Sequence, residues 1–427
     1  MKLVEQHIIR KNNINYKTIE DFSIKSNNLY NTALFIIRQH YFNRKGKQFT
    51  SDICDNVDHD YVNYYELNRI LKQTNNNDYV ALPANVSQET LKLVDKNFKS
   101  FFKLLNQKKN KQYENKINIP KYRKHTNKFV LVFNTSTLSK TDNSFKIPKT
   151  KTEITGLQHI KQSTQIRIIP KLDYFILEVI YEAKEKELKQ DNNRYMSIDL
   201  GINNLAACTS NVINSFIING KPIKSVNQYY NKMLSKHKSI IKTTNDVNTS
   251  SKIRKITLKR NNKIKWYMHN ASKYIIKILL DNEINTLIVG KNKEWKTNTN
   301  IGKQNNQTFV SIPFDMFISQ LKYKCKINGI NIVEQEESYT SKVSFIDNDY
   351  IPTYNKDDDK LNVSGKRIKR GLYQTKDSHY INADINGSLN IMRKYLNVAS
   401  DNIINGRCRG FVVNPYLVTL SNNIKRL

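Results

Sequence analysis

Two aspartates stand in frames that ordinary surface acids avoid. Asp199 lies in YMSIDLGI, an acid inside an otherwise apolar run that ends on Gly201, and Asp384 lies in YINADINGSLNI, ahead of an apparent helix with Asn386 and Asn390 close behind. Burying an ionised carboxylate costs on the order of several kcal/mol unless it is paired or coordinates a metal. Each acid has an ordinary explanation: Asp199 as a turn residue at a strand end, Asp384 as a helix N-cap. Taken together, far apart in sequence and each in an apolar frame, they point to a site assembled by the fold. Carboxylates that hold two Mg²⁺ ions about 4 Å apart cleave phosphodiesters, one ion activating water and the other stabilising the leaving oxygen. Two aspartates rarely suffice for that, and the strand TLIVG, where a third acid would be welcome, ends instead on Gly290.

The composition names the partner. Of 427 residues, 70 are Lys or Arg against 37 Asp or Glu, a net charge of +33 spread along the whole chain. That balance favours a polyanion, and nucleic acid is the expected one. A peripheral membrane protein would want a basic amphipathic helix or a lipid anchor, and neither is found. The opening MKLVEQHIIR lacks the apolar core of a leader, and no run approaches the roughly 18 residues of a membrane span. The protein is expected in the cytosol if prokaryotic, or in the nucleus or viral factory of a eukaryotic or giant-virus host. Cys54, Cys208, Cys325 and Cys408 lie far apart with no C-x-x-C, and read as semi-buried thiols rather than a disulfide framework or zinc site.

The positioning elements follow from periodicity. Helices are predicted over Leu29 to Phe42, capped by Ser26 and the asparagines after it, and over Ser87 to Leu105, with Leu91, Val94, Phe98, Phe101 or Phe102, and Leu105 on one face. A basic run from Gln107 to Lys128 follows, in which Lys121, Tyr122, Arg123 and Lys124 are candidate nucleic-acid contacts. From Phe129 to Tyr181, short alternating β-branched runs predict a small antiparallel sheet or barrel. If KLVEQHIIR pairs with it, residues 21–114 are a helical insertion between residues 1–20 and 115–190. Beyond the charged linker from Glu182 to Asn193 come three strands, a long basic helical stretch, the strand INTLIVG, an amphipathic helix and the strand INIVEQEESY. That is the order of an RNase H-type α/β layer, here residues 191–338 with 381–395. Residues 339–380 read as an insertion and 396–427 as a C-terminal tail.

The motifs IDLGINNLA, YTSKVS and NADINGSLNI, in this order, resemble those of the transposon-encoded TnpB nucleases and their Fanzor relatives. NLYNTALFIIRQ and IPKYRK extend the resemblance over nearly the whole chain. It implies an RNA-guided DNA endonuclease using two Mg²⁺ ions, with a RuvC-like nuclease domain, a wedge-like β-barrel and a helical recognition insertion. Its partners would be a guide RNA transcribed near its own gene and a double-stranded DNA target beside a short motif, and Asp199 and Asp384 would be its first and last catalytic, metal-binding acids.

The sequence departs from that pattern twice. Most relatives carry Glu where Gly290 stands, and most carry two C-x-x-C pairs before the last Asp; here Ser344 and Asp347 stand in the first pair's places and Ser364 to Tyr380 supplies no second, so no zinc is expected. Either the chain is a nuclease-dead RNA-guided binder, or another acid serves. VEQEESY offers Glu334, Glu336 and Glu337 at the end of the next parallel strand, which a crossover helix brings to the same sheet edge about 4.8 Å away. Such a relocated Glu also resembles what Fanzor proteins show. Alternation places Glu336 and Glu337 on opposite faces, so one of them is expected to face the metals. Glu334 reads as an exposed strand residue, and Glu294 as a loop residue ranked last. GKRIKRG, with Lys366, Arg367, Lys369 and Arg370, is a candidate contact for the DNA strand being loaded. A strand transferase, the third reading, carries little weight because a separate enzyme transposes in the resembled family.

Overall fold

The computed structural model describes residues 1–43, 61–124, 127–244, 249–292, 309–353, 361–404 and 414–420. The chain forms two compact units, Met1–Ala183 and Lys184–Leu427. Among the described residues no helix is long and apolar enough to cross a membrane.

In the first unit, β1 (Lys2–Arg10) pairs antiparallel with β6 (Tyr174–Glu182) along its whole length, from Lys2 opposite Glu182 to Arg10 opposite Tyr174. The helices α1 (Tyr16–Asn43), α2 (Tyr64–Gln73), α3 (Asn77–Ala81) and α4 (Ala84–Lys109) therefore lie between two strands of one sheet. That sheet runs β1-β6-β5-β2, with β2 at Leu131–Asn134 and β5 at Ser163–Pro170, and a separate ribbon pairs β3 (Ser144–Lys146) with β4 (Glu153–Thr155). No ladder among the described residues joins β1 to β2, so pairing does not close the barrel that the strand pattern allowed.

The helix expected from Leu29 begins 13 residues earlier, at Tyr16. Ser26 and Asn27, which read as a cap, are buried mid-helix. The Asn27 side chain donates to the Lys124 carbonyl at 2.9 Å, Ser23 Oγ donates to the Phe129 carbonyl at 2.5 Å, and Ser26 Oγ shares a hydrogen bond with Thr90 Oγ1 at 2.9 Å. A polar stripe can run through a helix interior when each group finds a partner, and local sequence cannot show that partner.

In the second unit, β7 (Tyr195–Leu200), β8 (Asn204–Ser210) and β9 (Phe216–Asn219) form an antiparallel meander. Helices α5 (Lys221–Thr244) and α6 (Ser251–Asp281) lead to β10 (Thr286–Gly290), which lies parallel to β7. After α7 (Phe314–Asn328), β11 (Asn331–Gln335) lies parallel to β10 with Gln335 opposite Gly290. A small sheet of β12 (Lys366–Lys369), β13 (Leu372–Gln374) and β14 (Tyr380–Asn382) precedes α8 (Ala383–Leu396). The segment read as a tail contributes β15 (Tyr416–Val418), parallel to β9, so the sheet order is β11-β10-β7-β8-β9-β15.

The strand period of two sorts β7 between two cores. Met196, Ile198 and Leu200 pack with Tyr267, Met268, Phe317 and Leu321 from α6 and α7. Tyr195, Ser197 and Asp199 face the other way, where Ile385, Leu389 and Met392 of α8 pack with Ala207, Ile217 and Ile288. Of the cysteines, Cys208 and Cys325 are free and fully buried, more so than the sequence implied; Cys54 and Cys408 lie outside the described residues.

Candidate active site

A helix that packs directly over a polar strand residue must be thin there. α8 meets β7 through Gly387 and Ser388: Ser197 Oγ donates to the Ser388 carbonyl at 2.6 Å, and Ser388 Oγ donates back to the Ser197 carbonyl at 3.1 Å. A Cβ on Gly387 would lie 2.8 Å from Asp199 Oδ2, so the glycine leaves the volume that this carboxylate fills. The run NGS in NADINGSLNI is thus read by its close approach to Asp199.

Asp384 sits in the first turn of α8, and the N-cap is Asn382, whose Oδ1 accepts from the Asp384 and Ile385 backbone N–H groups at 3.0 and 3.2 Å. With capping done by Asn382, the Asp384 carboxylate is left for other work. Asn204 Nδ2 donates to its Oδ2 at 2.6 Å, and Arg367 Nη2 approaches its Oδ1 at 3.5 Å.

β11 ends at Gln335, so Glu336 and Glu337 leave the strand on a turn rather than alternating along it. The turn still sends them apart. Glu336 is bound to the Lys394 ammonium and accepts from the Ser338 N–H at 2.7 Å, and despite its partial burial these partners hold its carboxyl below the usual range. Glu337 turns inward, fixed by its N–H to Asn292 Oδ1 at 3.0 Å and by Thr340 Oγ1 donating to its carbonyl at 2.8 Å. Its Oε2 is buried and has no hydrogen-bond partner. That same atom stands 2.6 Å from where a Cβ on Gly290 would be. The space that any side chain on Gly290 would enter first is thus held by the Glu337 carboxylate.

Burial dominates the electrostatics. It pushes the Glu337 carboxyl up to about 7, with Glu336 adding to the shift. It also pushes Asp199 well above the usual carboxylate range, reinforced by Glu337 and then Asp384 and partly offset by Arg367. Among the described residues no three His, Cys, Asp or Glu side chains are already gathered as a metal cluster. The three acids are electrostatic neighbours with Arg367 the cation beside them, and an all-oxygen, carboxylate donor set with an orphaned buried oxygen suits a hard divalent ion such as Mg²⁺.

The other candidates separate cleanly. Glu334 is exposed and ion-paired with Lys322 at 2.8 Å; Glu294 lies outside the described residues. Lys366, Arg367, Lys369 and Arg370 are all exposed on or beside β12, and Arg367 reaches Asp384. Lys121, Tyr122 and Lys124 are exposed, whereas Arg123 is half-buried. Its Nε donates to Asn27 Oδ1 at 2.9 Å, its Nη2 to the Lys128 carbonyl at 3.3 Å, and its guanidinium lies 4.7 Å from the Phe129 ring centroid. It braces α1 against the following segment. Asn204 was missed, although it stands in the quoted IDLGINNLA. Asn386 and Asn390 prove to be braces: their Nδ2 groups donate to the Val343 and Thr340 carbonyls at 2.8 and 2.9 Å, tying the turn after Glu337 to α8.

Where cysteine pairs would stand, Asp349 links the two loops. Its Oδ2 accepts from the N–H groups of Ser344 and Ser364 at 2.7 and 3.1 Å, and its Oδ1 from Ser364 Oγ at 2.5 Å. Asp347 Oδ2 accepts from the Lys376 N–H at 3.0 Å.

This α/β unit, with partly buried acids where strand ends meet α8, has a fold that resembles that of a Cas12f1 in complex with single-guide RNA and target DNA (14% identity, 88% of this chain and 82% of that one, TM-score 0.51). Residues 178–296 match the OrfB_IS605 family, described as a probable transposase, and residues 314–391 match the Cas12f1-like TNB domain. The TnpB-like protein ORF457 of Acidianus two-tailed virus is 22% identical over 224 residues, a match that spans 50% of this chain and 45% of that protein, so under half of the relative's length is covered. These partial matches all point toward TnpB-like proteins.

Proposed function

We propose that this protein is an RNA-guided DNA endonuclease with an RNase H-like, RuvC-type domain in its second unit. The first unit, a wedge-like β-domain interrupted by helices, holds the guide RNA. The observation that carries the reading is the orphaned Glu337 Oε2 beside Gly290, at the strand ends where Asp199 stands and α8 brings Asp384. Asp199, Glu337 and Asp384 hold Mg²⁺, and Asn204 orients Asp384. Bound there, the metal supplies an activated water and stabilisation of the leaving oxygen. Arg367, beside Asp384, is placed to bind a phosphate brought to the site and to share its charge. Gly290 and Gly387 keep the space in which two of the carboxylates sit. Sequence recognition belongs to pairing between guide and target, with Lys and Arg gripping backbones.

The test is cleavage of a plasmid with a matched target behind a randomised flank, using RNA transcribed from beside the gene. Cutting that needs both Mg²⁺ and RNA is the expected result; guided binding with no cutting at any Mg²⁺ concentration would leave a nuclease-dead binder instead.

The same carboxylates predict how stability responds to pH. Glu337 has a folded pKa of about 7, above its ordinary 4.5. The folded state therefore holds the extra proton, and its contribution is fully present below about pH 4.5 and lost as pH rises toward 7. Asp199, shifted in the same direction, adds to the trend. Without metal, the Tm of the parent is expected to fall across that window relative to that of Glu337→Gln, which cancels opposing groups such as His269; with Mg²⁺ the relative fall is reversed, most strongly at the alkaline end where the ligands are ionised. Equal Mg²⁺ stabilisation in Asp199→Ala would show that the ion acts elsewhere.

A further inference from the structure

The exposed face of α5 is cationic without compensation. The helix carries Lys221, Lys224, Lys232, Lys236, Lys238 and Lys242 and no Asp or Glu. Five of these lysines are exposed and Lys224 is half-buried, while Ile223, Asn227 and His237 face inward. Among the described residues, no ion pair joins any of the six to a carboxylate. Lys232 and Lys236, like Lys238 and Lys242, are four residues apart, a spacing at which like charges destabilise a helix by about 0.2–0.5 kcal/mol per pair. A merely solvated helix gains nothing from that pattern, whereas a polyanion reverses its sign. Lys238 and Lys242 share one open face of the helix with Asn231, Leu234, Ser235 and Ser239, and Lys232 and Lys236 flank it on the adjoining exposed side.

The row also has a definite beginning. α5 starts where the Gly220 N–H donates to the Asn203 carbonyl at 2.8 Å, and Lys224 Nζ donates to Asn203 Oδ1 at 3.2 Å. The next residue, Asn204, holds Asp384. From that loop the lysines continue to Lys242, about 27 Å farther along the helix at 1.5 Å per residue. With one phosphate roughly every 3.4 Å of a stacked strand, this length spans about eight of them.

We infer that the exposed face of α5 is a phosphate track for the single DNA strand that enters or leaves the carboxylate site. The inference rests on the proposed DNA-cutting function and adds the route of the strand. Lysine point charges fit the role, since they follow a backbone without reading bases.

The test uses RNA-loaded protein carrying Asp199→Ala, and measures binding of a labelled single-stranded DNA by anisotropy across a salt series. Replacing Lys232, Lys236, Lys238 and Lys242 by Gln, all exposed, is expected to leave Tm unchanged or slightly raised, since two repulsive pairs are removed. It is expected to weaken strand binding at least about tenfold and to flatten the log–log salt slope by about 3, at roughly 0.7 per phosphate contact. The matching Lys→Arg variant retains binding, and guide-RNA affinity changes less than about twofold. An unchanged slope would make this an ordinary solvated face, and an equal loss of RNA affinity would make it an RNA surface; either result overturns the track. These outcomes are independent of cutting: a parent that binds the strand through α5 but never cuts would sink the endonuclease reading alone.

Discussion

Replacing Glu337 by Gln is expected to reduce target cutting by at least about 10³-fold, roughly 4 kcal/mol of lost transition-state stabilisation, while guided DNA binding stays within about twofold of the parent. Glu336→Gln, one residue away, is expected to keep most of the activity. The contrast comes from what each carboxylate already touches. Glu336 is committed to Lys394 and the Ser338 N–H, so its loss releases one ammonium and loosens a turn. Glu337 has a buried oxygen with no partner and a carboxyl pushed up to about 7 by burial, a state that is costly without a cation. Gln keeps the size and removes the charge, which separates metal binding from packing. Plasmid cleavage for both variants, with guided binding measured in parallel, checks this. The assignment fails if Glu336→Gln abolishes cutting and Glu337→Gln does not.

The two aspartates were legible because apolar neighbours on a short strand and at a helix start leave an acid few ordinary explanations. The choice between two adjacent glutamates was not. Strand alternation assumes that β11 continues, but it ends at Gln335, and the directions of Glu336 and Glu337 are set by Lys394, Asn292 and Thr340, which stand elsewhere in the sequence. Arg123 shows the same limit from the opposite side. In sequence it is one more cation in a basic run, and only Asn27 and Phe129, brought alongside by α1 and the following segment, turn it into an internal brace. β15 could not be foreseen either, because a three-residue edge strand gains its pairing from β9 and carries no periodicity of its own. Local pattern located the elements and two of the acids; contacts distant in sequence decided which polar groups were free to act.

Gly290→Ala is expected to fold and to lose cutting by about 10²-fold or more. A methyl group there would stand 2.6 Å from Glu337 Oε2 and 2.5 Å from Ile391 Cδ1. These two nearest obstacles are the far ends of side chains, and the third, the Ile198 carbonyl oxygen at 3.3 Å, has to give by only a few tenths of an ångström, so the protein can yield at small cost. Removing a glycine from a strand also stabilises by about 0.4–1 kcal/mol through the unfolded chain. The net change in stability should therefore stay near 1 kcal/mol or below. Function is less forgiving, because the group that yields is the proposed metal ligand, and ligand geometry tolerates only about 0.5 Å. Adding Ile391→Val removes the Cδ1 contact while leaving the Glu337 contact in place. The double variant should recover whatever stability was lost and none of the cutting. Cleavage rates and Tm for the two variants decide the matter: if Gly290→Ala cuts at the parental rate, the glycine is not there to make room for Glu337. If Ile391→Val restores cutting, the obstruction was in α8 packing and the carboxylate was never displaced.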